Sequence, residues 1–310
     1  MKRLPFVLVL SLLALTTVFV CGCSKNKDKE EPTPSEEPTQ SFKDGVIPSR
    51  FAVAEGKYVH FSQGNLQYQA STNTWRFANH QWDFVGYMTE GNVYEKGVKC
   101  DNSELSDKYT GWIDLFCWGT SGWNSGAVAY QPWATSNAYA DYYPGGNMDN
   151  DLTGAYANAD WGVYNKISNG GNKAGLWRTL TIAEWEYLFN NSTCGHATVN
   201  GVHGYVLLPD AWSKPEDLDD FVKNPNNWTA NVYSGQQWKD MELAGAVFLP
   251  SAGFRDGQAV VMAGEYGHYW SSSHADFNCA RHIGFFEENA FMGWNFRNIA
   301  RSVRLVQDVK

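Results

Sequence analysis

The segment 178–187 (RTLTIAEWEY) contains Glu184 and Glu186, two carboxylates that could serve as a general acid and a general base. Thr181 precedes Glu184 by three residues, which is the spacing of a helix capping box, and apolar residues follow at helical intervals. A helix over 181–190 would use Glu184 as a capping group and leave Glu186 in solvent. The pattern therefore favours a structural helix over a catalytic pair.

No other motif supplies a nucleophile, a catalytic metal or a phosphate cradle. The sequence has no Gly-x-Ser-x-Gly, no His-Glu-x-x-His and no phosphate-binding glycine loop. Cys100, Cys117, Cys194 and Cys279 have no metal-site spacing and allow three disulfide pairings, of which Cys100 with Cys117 is one plausible pair. We therefore expect a protein that is not an enzyme and has no cofactor.

An oxygen-rich loop spans 147–151 (NMDND), and Asp160 follows it. Closely spaced carboxylates such as Asp149 and Asp151 suit Ca²⁺, although Gly, Asn and Asp are equally common in plain turns. Both interpretations stay open, and the predicted site includes no metal.

Aromatic residues are abundant, with 14 Trp, 16 Tyr and 17 Phe. Exposed rings could stack on sugars, whereas a loop-rich fold could use the same rings to fill its core. The net charge of −9 lies in the folded part, because residues 1–23 and 24–40 contribute +2 and −2. This balance argues against nucleic acid and anionic lipid as partners.

Residues 1–22 are organised like a secretory signal peptide, with a basic start and a long apolar run. The stretch 20–23 (VCGC) resembles a lipobox, which implies lipidation of Cys23; an ordinary membrane anchor is the alternative. The composition of residues 23–45 predicts an acidic, disordered tether. This tether resembles those of surface-exported Bacteroidetes lipoproteins, which implies an outer-membrane protein that faces the cell surface and contacts the membrane through its lipid alone.

Residues 46–310 indicate one domain with an α+β fold. The patterns predict antiparallel strands, two helices and a long loop region over 86–175. The predicted elements are a meander over 57–78, a helix over 181–190, a hairpin over 196–209 turning at Asn200 and Gly201, a helix over 234–244 with Trp238, Met241 and Leu243 buried, and strands over 246–253, 258–263, 267–272, 279–286 and 299–306.

Several segments resemble known families. The stretch 178–187 is similar to a helix of formylglycine-generating, sulfatase-modifying proteins, and 247–255 (VFLPSAGFR), 269–273 (YWSSS) and 301–306 (RSVRLV) are similar to the Fibrobacter succinogenes major paralogous domain. These groups share a C-type-lectin-like fold, which the resemblance implies here. The sulfatase-modifying reaction uses paired cysteines near the C-terminus, where this chain has Cys279 alone.

The calcium-dependent sugar site of lectins with this fold is also incomplete. Residues 131–133 (QPW) and 294–296 (WNF) each lack the carboxylate of the matching lectin motif. The resemblance therefore implies the fold without the familiar calcium site.

The segment 274–300 (HADFNCARHIGFFEENAFMGWNFRNIA) mixes rings with polar groups of unrelated chemistry. It resembles the variable region of proteins diversified by retroelements, with an ordinary divergent pair of loops as the alternative. Both interpretations place a ligand-facing surface here, because rings supply contact area and polar groups supply orientation. The predicted ligand-facing residues are His274, Asp276, Phe277, Asn278, Arg281, His282, Phe286, Asn289, Phe291, Trp294, Phe296 and Asn298.

The sequence thus predicts a surface-exposed lipoprotein module that binds an extracellular glycan or protein. The alternatives are a divergent enzyme of the sulfatase-modifying type and a structural envelope lipoprotein.

Overall fold

The computed structural model describes residues 42–85, 100–101 and 105–310, with the backbone alone at 100–101. The predicted signal peptide, Cys23 and most of the tether lie outside the described residues. The described residues belong to one compact unit, which includes residues 42–45 of the predicted tether, since Phe42 packs against the core. None of the helices in the described ranges is long and apolar enough to cross a membrane.

The fold is α+β, as predicted, and nearly all strand pairs are antiparallel. The helices among the described residues are α1 (Trp161–Tyr164), α2 (Ile182–Asn191) and α3 (Gly235–Leu243). The strands are β1 (Phe51–Ala54), β2 (Lys57–Phe61), β3 (Leu66–Gln69), β4 (Thr74–Phe77), β5 (Cys100–Asp101), β6 (Arg178–Thr179), β7 (Cys194–Val199), β8 (Val202–Leu207), β9 (Val232–Tyr233), β10 (Val247–Pro250), β11 (Phe254–Asp256), β12 (Ala259–Val261), β13 (Gly267–Ala275), β14 (Cys279–Phe286), β15 (Asn289–Phe296), β16 (Ile299–Ala300) and β17 (Leu305–Asp308).

Helix α2 forms where the capping box predicts it. The Thr181 hydroxyl accepts a hydrogen bond from the backbone N–H of Glu184 (3.2 Å), and the Glu184 carboxylate accepts one from the backbone N–H of Thr181 (2.8 Å). Trp185 is fully buried in the core that α2 covers. Glu184 also binds Arg178 through both carboxylate oxygens, at 2.8 Å each, and Arg178 binds Asp308. The carboxylate of Glu184 therefore links α2 to the C-terminal strand.

Two further local predictions are confirmed, and two need correction. Strands β7 and β8 turn at Asn200 and Gly201, and α3 buries Trp238. Leu243 is 67 % exposed instead, because it lies on the outer side of the last turn of α3. The predicted meander over 57–78 is confirmed in its second part, where β3 pairs with β4, and is wrong in its first part, because β2 pairs with β1 and β17 instead of β3.

Buried rings brace the described part of the long loop region and the segment directly after it. Trp118, Trp161 and Trp177 are fully buried, and the Trp118 indole N–H donates to the backbone oxygen of Ser271 (2.8 Å). Cys117 is a free, buried thiol, so the plausible disulfide with Cys100 is not formed.

Strand β14 lies at the centre of a three-stranded sheet, β13-β14-β15, that separates two parts of the core. Ile283 and Phe285 pack on the same side as Trp185, whereas Ala280 and Trp270 pack with Trp118. The predicted strand over 279–286 matches β14, and β15 extends the sheet through residues for which no strand was predicted. This sheet therefore carries the predicted ligand-facing residues.

Candidate functional site

One end of the β13-β14-β15 sheet presents aromatic rings to solvent. Arg281 pairs with Trp294, so their side chains lie on the same face of the sheet. Phe296 follows Trp294 by two residues and shares that face. Trp294 is 57 % exposed, Phe296 is 43 % exposed, and Phe277 in the adjoining β13–β14 turn is 77 % exposed. Three large aromatic side chains are therefore exposed to solvent at this end of the sheet.

Tyr139 completes this group of rings from a different part of the chain. Its ring stacks on that of Phe296, with centroids 5.4 Å apart and planes inclined by 19°. Tyr139 begins a short 3₁₀ segment, Tyr139–Tyr142, in the long loop region. We call Tyr139, Phe277, Trp294 and Phe296 the aromatic patch. Sequence reasoning missed Tyr139, because the loop around it has no periodicity that places one tyrosine beside a distant strand.

Hydrogen bonds hold the loop against the β13–β14 hairpin. The carboxylate of Asp151 accepts from the backbone N–H of His274 (2.6 Å) and lies 2.8 Å from its ring Nδ1. The Tyr143 hydroxyl donates to the side-chain oxygen of Asn278. His274 and Asn278 therefore support the patch from its edge, beside the exposed rings.

Arg297 lies in the interior next to the patch, and it was not predicted from the sequence. It is fully buried, with its guanidinium 4.3 Å from the centre of the Trp118 ring and 5.0 Å from that of Tyr143. Its Nε donates to the backbone oxygen of Cys279 (3.2 Å), and its Nη2 donates to that of Met148. Burial lowers the pKa of Arg297 to about 10. The side chain thus joins the hairpin to the loop.

The turn that carries Phe277 has an unfavourable backbone conformation for a large side chain. Phe277 has a φ of 58° and Asn278 a φ of 69°, and the three-residue turn begins at Asp276, whose side chain is exposed. Asparagine tolerates the left-handed region, whereas an aromatic residue is rare there. The fold therefore holds an exposed phenylalanine in a strained position.

Two of the twelve predicted residues are interior, which corrects the prediction for them. His282 is 2 % exposed and lies on the opposite face of β14, edge-on to the Trp270 ring at 5.9 Å. Burial lowers the pKa of His282 to about 3. Asn298 is 8 % exposed, and its backbone oxygen accepts from the Cys117 thiol. Neither side chain faces a ligand surface, because strand alternation turns one inward and a buried turn holds the other.

Three other predicted residues lie at the far end of the same sheet. Phe286 and Asn289 flank the β14–β15 turn, about 24 Å along the strand from the patch at roughly 3.4 Å per residue. Phe291 is half-buried against the rings of His268 and His282. The structure therefore divides the predicted residues between two ends of the sheet.

The carboxylates of Asp151, in the oxygen-rich loop, and of Asp160, which follows it, are used in local contacts. Asp151 binds His274, as described above, and the Asp160 carboxylate accepts from the backbone N–H groups of Gly162 (2.9 Å) and Thr179 (2.8 Å). Burial raises the pKa of Asp160 to about 6. Within residues 42–85 and 105–310, no group of three or more His, Cys, Asp or Glu side chains is placed to hold a metal ion.

Comparisons with protein families, curated proteins and solved structures found no match for this chain.

Proposed function

We propose that this protein is a surface lipoprotein whose domain binds an extracellular glycan or protein through the aromatic patch. The observation that carries the proposal is the exposure of Phe277, Trp294 and Phe296 at one end of the β13-β14-β15 sheet. A cluster of exposed rings contributes little to folding and marks an interaction surface. Rings also supply rigid contact area at a low entropy cost, which suits recognition.

The strained turn adds support. A bulky residue in the left-handed region costs free energy, and such residues persist where they serve a function. Phe277 gains almost no burial in return, since it is 77 % exposed. Ligand binding would recover this cost by burying the ring.

A C-type-lectin-like fold is the finer assignment that we propose for the domain. Support comes from the similarity of segments 178–187, 247–255, 269–273 and 301–306 to families with that fold. In the α+β architecture these segments contribute α2, β10, β13 and β17. The N-terminal and C-terminal parts of the domain lie side by side, because β17 pairs with β2.

The proposed location is the outer membrane, with a lipid on Cys23 and the domain facing outward on its tether. This part of the proposal rests on the signal-like start of the chain, the lipobox-like stretch 20–23 and the acidic segment that follows.

We also propose that the domain is not an enzyme. The carboxylate of Glu184 binds Arg178 and caps α2, so it is committed to holding the helix in place. Glu186 is exposed on the same helix. Glu184 therefore stabilises the fold and Glu186 is in contact with solvent. The activity that we propose is binding.

Glycan and protein arrays test the binding function. Wild type should recognise a defined subset of ligands, and a patch variant (Phe277→Ala, Trp294→Ala, Phe296→Ala) should lose them. A control variant (Arg50→Ala, Tyr58→Ala, Leu243→Ala) removes exposed side chains elsewhere and should keep the wild-type pattern. An empty array for wild type, or an unchanged pattern for the patch variant, contradicts the proposal.

A further inference from the structure

A second concave site lies at the end of the sheet opposite the aromatic patch. A cleft of about 510 Å³ opens beside the β14–β15 turn. Its volume is within the range of pockets that bind small ligands. The cleft is lined by residues of β8, the segment around Trp228, the segment before β13 and the turn itself.

Two stacked pairs of rings line this cleft. His203 lies parallel to Trp228, with centroids 5.0 Å apart and planes inclined by 2°. Tyr266 stacks on Phe286, with centroids 5.2 Å apart. The cleft thus offers aromatic rings from two different parts of the fold.

The first ring pair is held firmly. Trp228 is 5 % exposed and also meets the ring of His196 edge-on at 4.9 Å. The Nδ1 of His203 lies 3.0 Å from the backbone oxygen of Gly264. These contacts fix the rings before any ligand arrives, so binding would require little ordering of this wall.

The charged residues that line the cleft are all acidic. They are Glu265, Glu287 and Glu288, with no lysine or arginine among the lining residues. Glu287 and Glu288 are exposed at the β14–β15 turn, and neither forms an ion pair with another described residue. Carboxylates attract a cation, and the negative faces of aromatic rings attract it as well.

We infer that this cleft binds an organic cation, an alkylammonium group that is either free or carried on a lysine side chain. Aromatic rings contact the alkyl part and the adjoining positive charge, while the glutamates compensate that charge. A neutral sugar would use the rings but would gain nothing from the net charge of the lining. The combination of the rings with the exposed carboxylates of Glu287 and Glu288 therefore favours the cation.

Calorimetric titration with choline and with its uncharged carbon isostere, 3,3-dimethyl-1-butanol, tests this site. A peptide with one lysine and its acetyl-lysine counterpart test the side-chain source in the same way. Choline or the lysine peptide should bind at least tenfold more tightly than its neutral counterpart. The pair that shows the larger difference identifies the source of the cation.

Matched charge variants place the binding in the cleft. Glu287→Gln with Glu288→Gln should weaken cation binding at least tenfold. Glu216→Gln with Asp217→Asn removes two exposed carboxylates elsewhere and should change it less than twofold. The patch variant should bind the cation like wild type, so this site can fail or succeed independently of the proposed function.

Three results would overturn the inference. The first is the lack of saturable binding by both cations. The second is equal affinity for cation and neutral isostere, or tighter binding of a methyl glycoside, either of which indicates a plain aromatic cleft. The third is an equal loss in the two charge variants, which indicates general attraction to an acidic protein.

Discussion

The ring of Tyr139 lies nearly parallel to that of Phe296, with their centroids 5.4 Å apart. Tyr139 comes from the long loop region and Phe296 from the end of β15, so the aromatic patch is assembled from segments distant in sequence. The contacts of Asp151 with His274 and of Arg297 with Met148 hold these segments together. The proposed recognition at the patch would therefore depend on side chains that the ligand does not touch.

The strained turn gives a prediction with an unusual sign. Phe277→Gly should raise the free energy of unfolding by about 0.5–1 kcal/mol, because glycine adopts a φ of 58° without steric cost. Phe277→Ala keeps the Cβ and should give no such gain. Urea unfolding of both variants measures the difference. A clear loss of stability in the glycine variant would mean that the ring packs into the fold.

Two buried arginines of the closing segment should respond differently to removal. Arg304 donates to the side-chain oxygen of Gln81 (2.8 Å) and to the backbone oxygen of Phe248 (3.3 Å). Arg301 lies over the Trp270 ring, and its Nε and Nη1 have no hydrogen-bond partner among the described residues. Burial lowers the pKa of Arg301 to about 9 and that of Arg304 to about 10.

Arg304→Met should therefore lower the free energy of unfolding by about 2–4 kcal/mol, because it removes the hydrogen bonds between a buried guanidinium and its buried acceptors. Arg301→Met should lower the free energy of unfolding by less than about 1 kcal/mol, since methionine removes a poorly compensated charge and keeps the packing. Chemical denaturation at pH 7 compares the two. Equal losses would show that Arg301 is compensated as well as Arg304.

The buried His282 should make the domain sensitive to acid. Burial and the positive charge of Arg301 lower the pKa of His282 to about 3, below its ordinary value of 6.5. Between these values the unfolded chain takes up a proton that the folded chain does not, so stability falls as the pH falls below about 6.5. The neighbouring His268, whose pKa burial also lowers, adds to the effect.

In wild type, the free energy of unfolding should fall with each pH unit between pH 6 and 4. His282→Gln should reduce this slope by about 1.4 kcal/mol per pH unit, which corresponds to one proton. Urea unfolding of wild type and variant across this interval measures both slopes. His203→Gln changes a half-buried histidine and serves as the control. Parallel curves for wild type and His282→Gln would show that the His282 pKa is not lowered in the fold.

The proposed anchor is tested by labelling cells with palmitate. Cys23→Ser should abolish incorporation, because the acylated cysteine is lost, whereas Cys21→Ser should still be labelled. Label that persists in the Cys23 variant would place the modification elsewhere and would remove the basis for the proposed location.

Local signals predicted the elements that local chemistry determines. The capping box of Thr181 and Glu184 gave the start of α2, and the Asn200–Gly201 pair gave the turn between β7 and β8. In each case a few adjacent residues satisfy the hydrogen bonds of the element. The pairing of β2 with β17 could not be found in this way, because it joins residues from opposite ends of the domain.

The same limit applies to the candidate site. Composition identified the segment 274–300, and Phe277, Trp294 and Phe296 are exposed there. The burial of His282 follows from its place on the other face of β14, which depends on what packs there. Tyr139 and Arg297 were missed because their roles come from contacts between the loop and the hairpin.

The affinity of Trp294→Ala for the ligand found on the arrays tests the central claim most directly. Trp294 is 57 % exposed, so its removal should shift the melting temperature by less than about 2 °C. The Kd should rise at least tenfold, since a tryptophan at the centre of an interface commonly dominates binding. A Kd and melting temperature that both match wild type would contradict the assignment of the aromatic patch as the ligand-binding surface.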